Sequence, residues 1–146
     1  MVYRVKNCIC LLFALTFSLL ACVGVRAYHT TRLSSLQGER VFYLDSASSQ
    51  GLRKTQLSLL DIPRVKGECV RMDLQEKDGG MYALKLISAL DGEVVFIEEA
   101  CGRTSYYAYA HGLGEGLWLY GKKVNLHVAV GEKECVVGTP IIFDGF

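Results

Sequence analysis

Cys101 is the residue best suited to covalent chemistry, because a cysteine beside a histidine can act as a nucleophile. It lies in the segment EEACGRTS, and His111 and His127 follow it on the next predicted strands. A cysteine nucleophile also needs a polar group that orients the histidine, and the local signatures of cysteine peptidases are absent. We therefore interpret Cys101 as a half-cystine or a small thiol at a strand end, with a cysteine-dependent hydrolase as the alternative.

The remaining residues that could bind metals or cofactors have unfavourable spacings. The three histidines are scattered without an H-x-H or H-E-x-x-H pattern, so we predict no metal site. Glu98 and Glu99 are adjacent in a predicted strand and point to opposite faces, which argues against a shared acid–base site. The glycines of residues 112–116 lack the G-x-G-x-x-G spacing, so we predict a flexible loop that could contact a ligand, and no cofactor.

An aromatic cluster is the strongest indication of binding. Its members are Tyr106, Tyr107, Tyr109, Trp118 and Tyr120. Tyrosine and tryptophan combine an apolar ring with a polar tip, which suits a groove for a sugar or a peptide. Alternating tyrosines are also typical of a half-buried strand. We predict that these five residues form the binding surface.

The first 27 residues have the layout of an export signal. Arg4 and Lys6 precede residues 8–25, a run of 18 residues without a charge. A positive stretch followed by an apolar run is typical of a secretory signal, and 18 residues is also the lower limit for spanning a bilayer.

Three fates of this segment stay open. Small residues at positions 25 and 27 would permit cleavage before Tyr28. The sequence LLAC resembles a bacterial lipobox, in which Cys22 would be lipid-modified and become the new N-terminus. The third alternative is an uncleaved anchor. All three place residues 28–146, which we predict to be a single domain, outside the cytoplasm.

The charge of that domain excludes one class of partner. Subtracting the three basic residues of positions 1–27 from the 16 in the chain leaves 13, against 15 acidic residues, for a net charge of −2. Nucleic-acid binding requires a clustered basic face, so we predict no nucleic-acid partner. The domain also lacks a polybasic membrane patch, and we expect membrane contact only through the N-terminal segment.

Three cysteines remain in the domain, at Cys69, Cys101 and Cys135. In an oxidising compartment they can form at most one internal disulfide and leave one thiol, and the sequence does not say which pair would form. No two of them have the C-x-x-C spacing of a zinc knuckle or a redox dithiol.

The elements that would position these residues are those of an α+β fold. Residues 70–74 alternate apolar and polar side chains, which predicts a half-buried strand. Residues 81–90 have helical spacing behind a candidate N-cap, with a strand as the alternative. We predict further strands at residues 93–98, 103–110, 123–130 and 134–143. The result is a curved antiparallel sheet of about four to five strands with one main helix on one face, preceded by the signal or anchor.

Residues 28–63 are less regular. We expect a short helix or an ordered lead-in over residues 29–40. Residues 41–44 fit a short strand, or the end of a helix that begins at residue 35. Pro63 ends the weak alternation that precedes it.

The final strand, with the sequence VVGTPII, carries Gly138, Thr139 and Pro140 in its middle. Proline cannot donate to a sheet ladder, and glycine permits a kink. We expect the strand to bend here and to continue with Ile141 and Ile142 along the rim of the sheet.

This ending also carries a resemblance to a known family. GKKVNLHVAV, a short turn and VVGTPII resemble the close of the YwmB-like family of Gram-positive bacteria, over about residues 65–146. The resemblance rests on Val124-Asn125, Val128-Ala129 and Gly138-Thr139-Pro140. It implies an α+β domain, sometimes labelled TATA-box-binding-like, with an abbreviated N-terminal part. It implies no activity, cofactor or catalytic residue, and a likeness of shape does not confer function.

The function that fits these features is that of an exported, non-enzymatic protein of the cell envelope. We expect it to bind a protein or cell-wall partner through the aromatic cluster. The alternatives are a hydrolase centred on Cys101 and a structural subunit that pairs through an exposed sheet edge.

Overall fold

The computed structural model describes residues 2–30, 33–45, 52–74 and 78–143, and within the first helix the side chains of residues 8–25. Its helices are α1 (Val2–Thr30) and α2 (Gly79–Ala89), with short 3-10 turns at Ile62–Arg64 and His111–Leu113. Its strands are β1 (Glu39–Leu44), β2 (Leu52–Lys54), β3 (Val65–Asp73), β4 (Gly92–Ala100), β5 (Arg103–Ala110), β6 (Leu117–Leu119), β7 (Lys122–Val124), β8 (Leu126–Val130) and β9 (Glu134–Thr139).

Seven strands form one antiparallel sheet in the order β2-β1-β3-β9-β8-β5-β4, and β6 with β7 forms a separate hairpin. The α+β prediction is therefore confirmed, but the predicted count of four to five strands is too low. Residues 39–44 are a strand, so the helical alternative for this stretch is wrong. We call the end where β1, β5 and β9 finish the basal end, and the opposite end the distal end.

The helix α2 covers one side of the sheet, which we call the helix face. Asp78 is its N-cap, since the carboxylate accepts a hydrogen bond from the Met81 N–H at 3.0 Å. Ala83 and Ile87 are its buried residues, and they pack on alternate residues of the central strands. The predicted helix is confirmed, because one apolar stripe and one cap suffice to specify it.

The other side, which we call the open face, is covered only in part. The chain turns at Pro140 and folds back, so that the Ile142 N–H donates to Nδ1 of His127 at 3.3 Å. The Phe143 ring packs at 5.2 Å from that of Tyr43. A Cβ on Gly138 would lie 2.7 Å from Ile142, so only glycine permits this return. The predicted continuation along the rim is wrong, because β9 ends at Thr139.

The predicted strand at residues 123–130 is divided in two by Asn125. The Asn125 Oδ1 accepts from the Ala110 N–H at 2.7 Å, and its Nδ2 donates to the oxygens of Ala110 and Gly114. The Asn125 side chain thus forms the two hydrogen bonds with Ala110 that a neighbouring strand would otherwise form at the end of β5. Thr139 Oγ1 donates to the Asn125 carbonyl at 2.9 Å, which links this point to the end of β9.

Helix α1 is one uninterrupted element that runs beyond residue 27 to Thr30. Residues 8–25 of this helix have a mean hydropathy of 2.6 and are not buried against the domain. By length and composition this stretch could cross a bilayer, and an N-terminal signal sequence has the same properties. The predictions of cleavage, lipidation or anchoring therefore stay predictions.

Candidate binding surface

A row of stacked rings crosses the open face, and we call it the aromatic ladder. His127 on β8 stacks on Tyr107 of β5, with ring centroids 4.3 Å apart and planes at 18°. Tyr107 stacks in turn on Phe96 of β4, at 4.4 Å and 17°. Tyr120 completes the ladder with its edge against Phe96, at 5.8 Å. Sheet register produces this row, because Phe96, Tyr107 and His127 are direct cross-strand partners.

The β6–β7 hairpin extends the ladder. The Nζ of Lys122 lies 5.8 Å from the centre of the Phe96 ring, and that of Lys123 lies 5.7 Å from the Tyr109 ring. These cation–π contacts attach the hairpin to the sheet. Trp118 is the direct cross-strand partner of Lys123 and is 71% exposed. The hairpin therefore presents a large exposed ring beside the ladder.

Tyr120 occupies a position that its side chain does not favour. The turn of the hairpin has φ values of 50° at Tyr120 and 74° at Gly121, both in the left-handed region. Two-residue turns of this kind favour Asn-Gly, because a left-handed backbone costs other residues about 1–2 kcal/mol. Tyr120 is nevertheless 82% exposed, so its ring gains little from burial in the domain. Such a residue points to a role outside the fold.

Electrostatics leave the ladder itself uncharged near neutral pH. Burial lowers the pKa of His127 to about 4, so the imidazole is neutral. Burial, with a smaller contribution from the neighbouring Glu98 carboxylate, raises the pKa of the Tyr107 hydroxyl. His127 is only 5% exposed, although it lies on the open face of the sheet. The cause is the returning C-terminal segment, which covers it.

Tyr106 requires a correction. The structure brings Tyr107, Tyr109, Trp118 and Tyr120 to the open face and the hairpin, but it places Tyr106 in the core beneath α2, where it is 8% exposed. Neighbouring residues of a strand point to opposite faces, so Tyr106 cannot join the surface that contains Tyr107. Phe96 and His127 stack on Tyr107 instead, and the sequence pattern predicted neither contact.

The three domain cysteines are thiols that do not approach one another. Cys69 lies on the open face, where its Sγ is 3.3 Å from the Tyr43 hydroxyl. Cys135 lies in the core of the helix face, where burial raises its pKa to about 12. Cys101 is exposed on the distal turn between β4 and β5. The sheet separates Cys69 from Cys135, which rules out a disulfide between them in this fold.

The geometry also separates Cys101 from its predicted histidine partners. His111 follows the basal end of β5, and the eight residues of that strand span about 25 Å. His127 stacks on Tyr107, six residues beyond Cys101 and about 20 Å along the strand. Among the described residues, no group of three or more His, Cys, Asp or Glu side chains could hold a metal ion. Cys22 lies on the exposed surface of α1, within residues 8–25.

A second feature of the basal end is a buried carboxylate. Glu68 is 1% exposed and lines a cavity of about 790 Å³, which the 112–116 loop also borders. Its Oε1 accepts a hydrogen bond from the Leu33 N–H at 2.9 Å, while Oε2 receives none from the described residues. Burial raises the pKa of Glu68 to about 7, and the Leu33 N–H and the Arg40 charge offset only part of the effect. Arg40 in turn donates to the carbonyl oxygens of Leu33 and Leu36.

Glu68 and Arg40 thus fasten residues 33–36 to the sheet. The sequence contained the necessary signal, since Glu68 alternates in phase with Val70 and Met72, which are buried on the same face. This phase places Glu68 on the helix face, and the Leu33 segment that packs against it completes its burial.

No protein-family model matches this chain, and no curated protein and no solved structure is significantly similar to it. The function must therefore be argued from the chain itself.

Proposed function

We propose that this chain is an exported, non-enzymatic protein of the cell envelope that binds a partner through the aromatic ladder and the β6–β7 hairpin. The observation that carries the proposal is the exposed pair Trp118 and Tyr120, beside a continuous row of stacked rings. Tryptophan and tyrosine are enriched among the residues that dominate binding energy. The N-terminal apolar helix supports export and attachment to the membrane.

Tyr120 provides a second argument for binding. Its left-handed backbone costs free energy, and its ring is 82% exposed, so the fold alone gains little from a tyrosine there. A partner that covers the ring would supply the missing contact. The proposal thus accounts for a residue that local turn preference does not explain.

The test uses Tyr120→Asn as its decisive variant. Asparagine suits the left-handed position, so folding should be retained while the ring is lost. A photoreactive crosslinker placed at Leu117 should capture envelope material in living cells with the wild-type chain. Capture should fall strongly with Tyr120→Asn and with Trp118→Ser. The matched control is Met81→Ser on α2, which is 51% exposed but lies away from the ladder, and it should crosslink as the wild type does.

The crosslinked material decides between the two kinds of partner. A protein partner gives a crosslinked band of defined mass that a wall-degrading enzyme leaves unchanged. A cell-wall partner gives a band that such an enzyme removes. Capture that is equal in Tyr120→Asn, Trp118→Ser and the wild type would refute the proposal.

The two alternative functions have less support. Pairing through a sheet edge is opposed at both ends of the sheet, since β2 has three residues and β4 has a register shift between Val94 and Phe96 and carries three glutamates. A hydrolase centred on Cys101 would need a histidine nearby, and both candidates lie about 20 Å or more along the strand.

Membership of the YwmB-like family is also a proposal. What supports it is that the residues of the resemblance have a shared structural purpose here. Asn125 and Thr139 hydrogen-bond to each other, and Gly138 permits the return of the C-terminal segment. These contacts are requirements of the fold, and the resemblance concerns the fold and not the function.

A further inference from the structure

Two adjacent leucines are exposed without any cover from the described residues. Leu59 is 76% exposed and Leu60 is 86% exposed. Outside α1, Tyr120 is the one other large apolar side chain among the described residues that is more than 75% exposed, at 82%. Single exposed leucines are common on soluble proteins, but a pair at one loop tip marks an interaction site.

The loop that carries these leucines is held in one shape. The Asp61 carboxylate accepts hydrogen bonds from the Ser58 N–H at 2.9 Å, from the Ser58 hydroxyl at 2.7 Å and from the Lys54 ammonium at 2.7 and 2.8 Å. Asp61 is 5% exposed, and these bonds, that of Lys54 foremost, hold its pKa well below its usual range. The two leucines are therefore presented to solvent by a rigid loop.

The position of the loop identifies what covers the leucines. Leu59 and Leu60 precede the 3-10 turn Ile62–Arg64, with only its N-cap Asp61 between, and α1 contacts this turn and β3. Val25, at the end of the apolar stretch of α1, borders the same basal cavity as Lys66. Arg64 and Lys66 are exposed beside the loop. Apolar tips flanked by cations, next to a helix that is long and apolar enough to cross a membrane, suit the surface of a bilayer that contains anionic lipids.

We propose that Leu59 and Leu60 insert into the extracytoplasmic surface of the membrane beside α1, so that the domain rests on the bilayer by its basal end. The inference rests on the proposed attachment of the protein to the membrane. It extends the membrane contact beyond the N-terminal segment. It also orients the domain, because the distal turns would then point away from the bilayer.

The test places a single tryptophan in the loop of the full chain. The chain has one tryptophan, so Trp118→Phe provides a background without the fluorophore. Leu60→Trp is made in this background and reconstituted into vesicles of phosphatidylglycerol and phosphatidylcholine. Its emission maximum should lie at a shorter wavelength than that of the urea-unfolded chain in buffer without detergent. Phosphatidylcholine that is brominated in its acyl chains should quench this emission.

The matched control is Met81→Trp in the same background. Met81 is also exposed, at 51%, and it lies in the first turn of α2, whose Gly79 packs against Val130 at the distal end of β8. Brominated lipid should leave its fluorescence unchanged. Quenching of Leu60→Trp that is no stronger than that of Met81→Trp overturns the proposal.

Two outcomes separate this inference from the proposed function. An intact mass that corresponds to residues 28–146 without lipid overturns the docking of the loop, while partner capture by the aromatic ladder can still be tested. Conversely, brominated lipid could quench Leu60→Trp while Tyr120→Asn leaves the yield of crosslinked material unchanged. That result supports the docking of the loop and refutes the binding function.

Discussion

The two faces of the sheet differ in what covers them. An 11-residue helix lies on the helix face, and the core there is formed by side chains from α2 and four strands. The open face is covered by the returning residues 140–143, and its core cluster is much smaller. The remainder of the open face is closed by rings that stack on one another. The helix face thus carries the main core, while the hairpin beside the open face leaves large aromatic side chains exposed.

Each face also buries a titratable group, and the two pKa values are shifted in opposite directions. Glu68 on the helix face has its pKa raised to about 7, and His127 on the open face has its pKa lowered to about 4. In both cases burial opposes the charged form. Burial, rather than a catalytic partner, therefore explains both pKa shifts.

The largest expected effect comes from the core of the helix face. Leu126→Ala should lower the free energy of unfolding by roughly 3–4 kcal/mol, because Leu126 is fully buried and its removal leaves a cavity. Leu117→Ala on the hairpin is the matched control, and since Leu117 is 38% exposed it should cost less than about 1 kcal/mol. Urea unfolding followed by circular dichroism measures both. Equal losses would contradict the contrast between the faces.

Glu68 should make the protein less stable as the pH rises. Its folded pKa of about 7 exceeds the ordinary 4.5, so its contribution is most favourable below pH 4.5 and is lost as the pH rises through 7. The loss should be on the order of 3 kcal/mol by pH 8. Glu68→Gln keeps an acceptor for the Leu33 N–H and removes the charge, so it should be more stable than the wild type at pH 8 and similar at pH 4. A wild-type advantage at pH 8 would refute the assignment.

His127 should have the opposite effect. Its folded pKa of about 4 lies below the ordinary 6.5, so its contribution is present above pH 6.5 and is lost as the pH falls through 4. The loss should be on the order of 3 kcal/mol, as for Glu68, because the two pKa values are shifted by similar amounts. His127→Phe keeps a ring for stacking and removes this loss of stability at acid pH. Between pH 4.5 and 6.5 the two residues oppose each other, so each single variant should have a steeper profile than the wild type.

Thiol reactivity provides the mildest perturbation. Iodoacetamide at neutral pH should alkylate Cys101 in the folded protein, because it is exposed on the distal turn. Cys135 should react only after unfolding, since it is buried and its pKa is raised to about 12. Peptide mass mapping with and without urea reports both sites. Early labelling of Cys135 would show that the helix face opens more readily than its packing indicates.

Several elements were predictable because their signals are local. The spacing of residues 81–90 and the cap at Asp78 specified α2, and period-two alternation specified β3 and β5. The division at Asn125 was missed, because the amide imitates backbone contacts with Ala110, 15 residues away. Short strands such as β2 were also missed, since three residues carry too little pattern.

The sequence by itself therefore determined the apolar N-terminal helix, the α+β class and the list of aromatic residues, because these depend on composition and on spacing within one segment. Only the tertiary structure decided which of those rings meet. Strand order and register join Phe96, Tyr107 and His127 into one ladder and place Tyr106 behind it. Tertiary packing likewise buried Glu68 and His127, since the chain segments that cover them, at Leu33 and Ile142, come from outside their own strands.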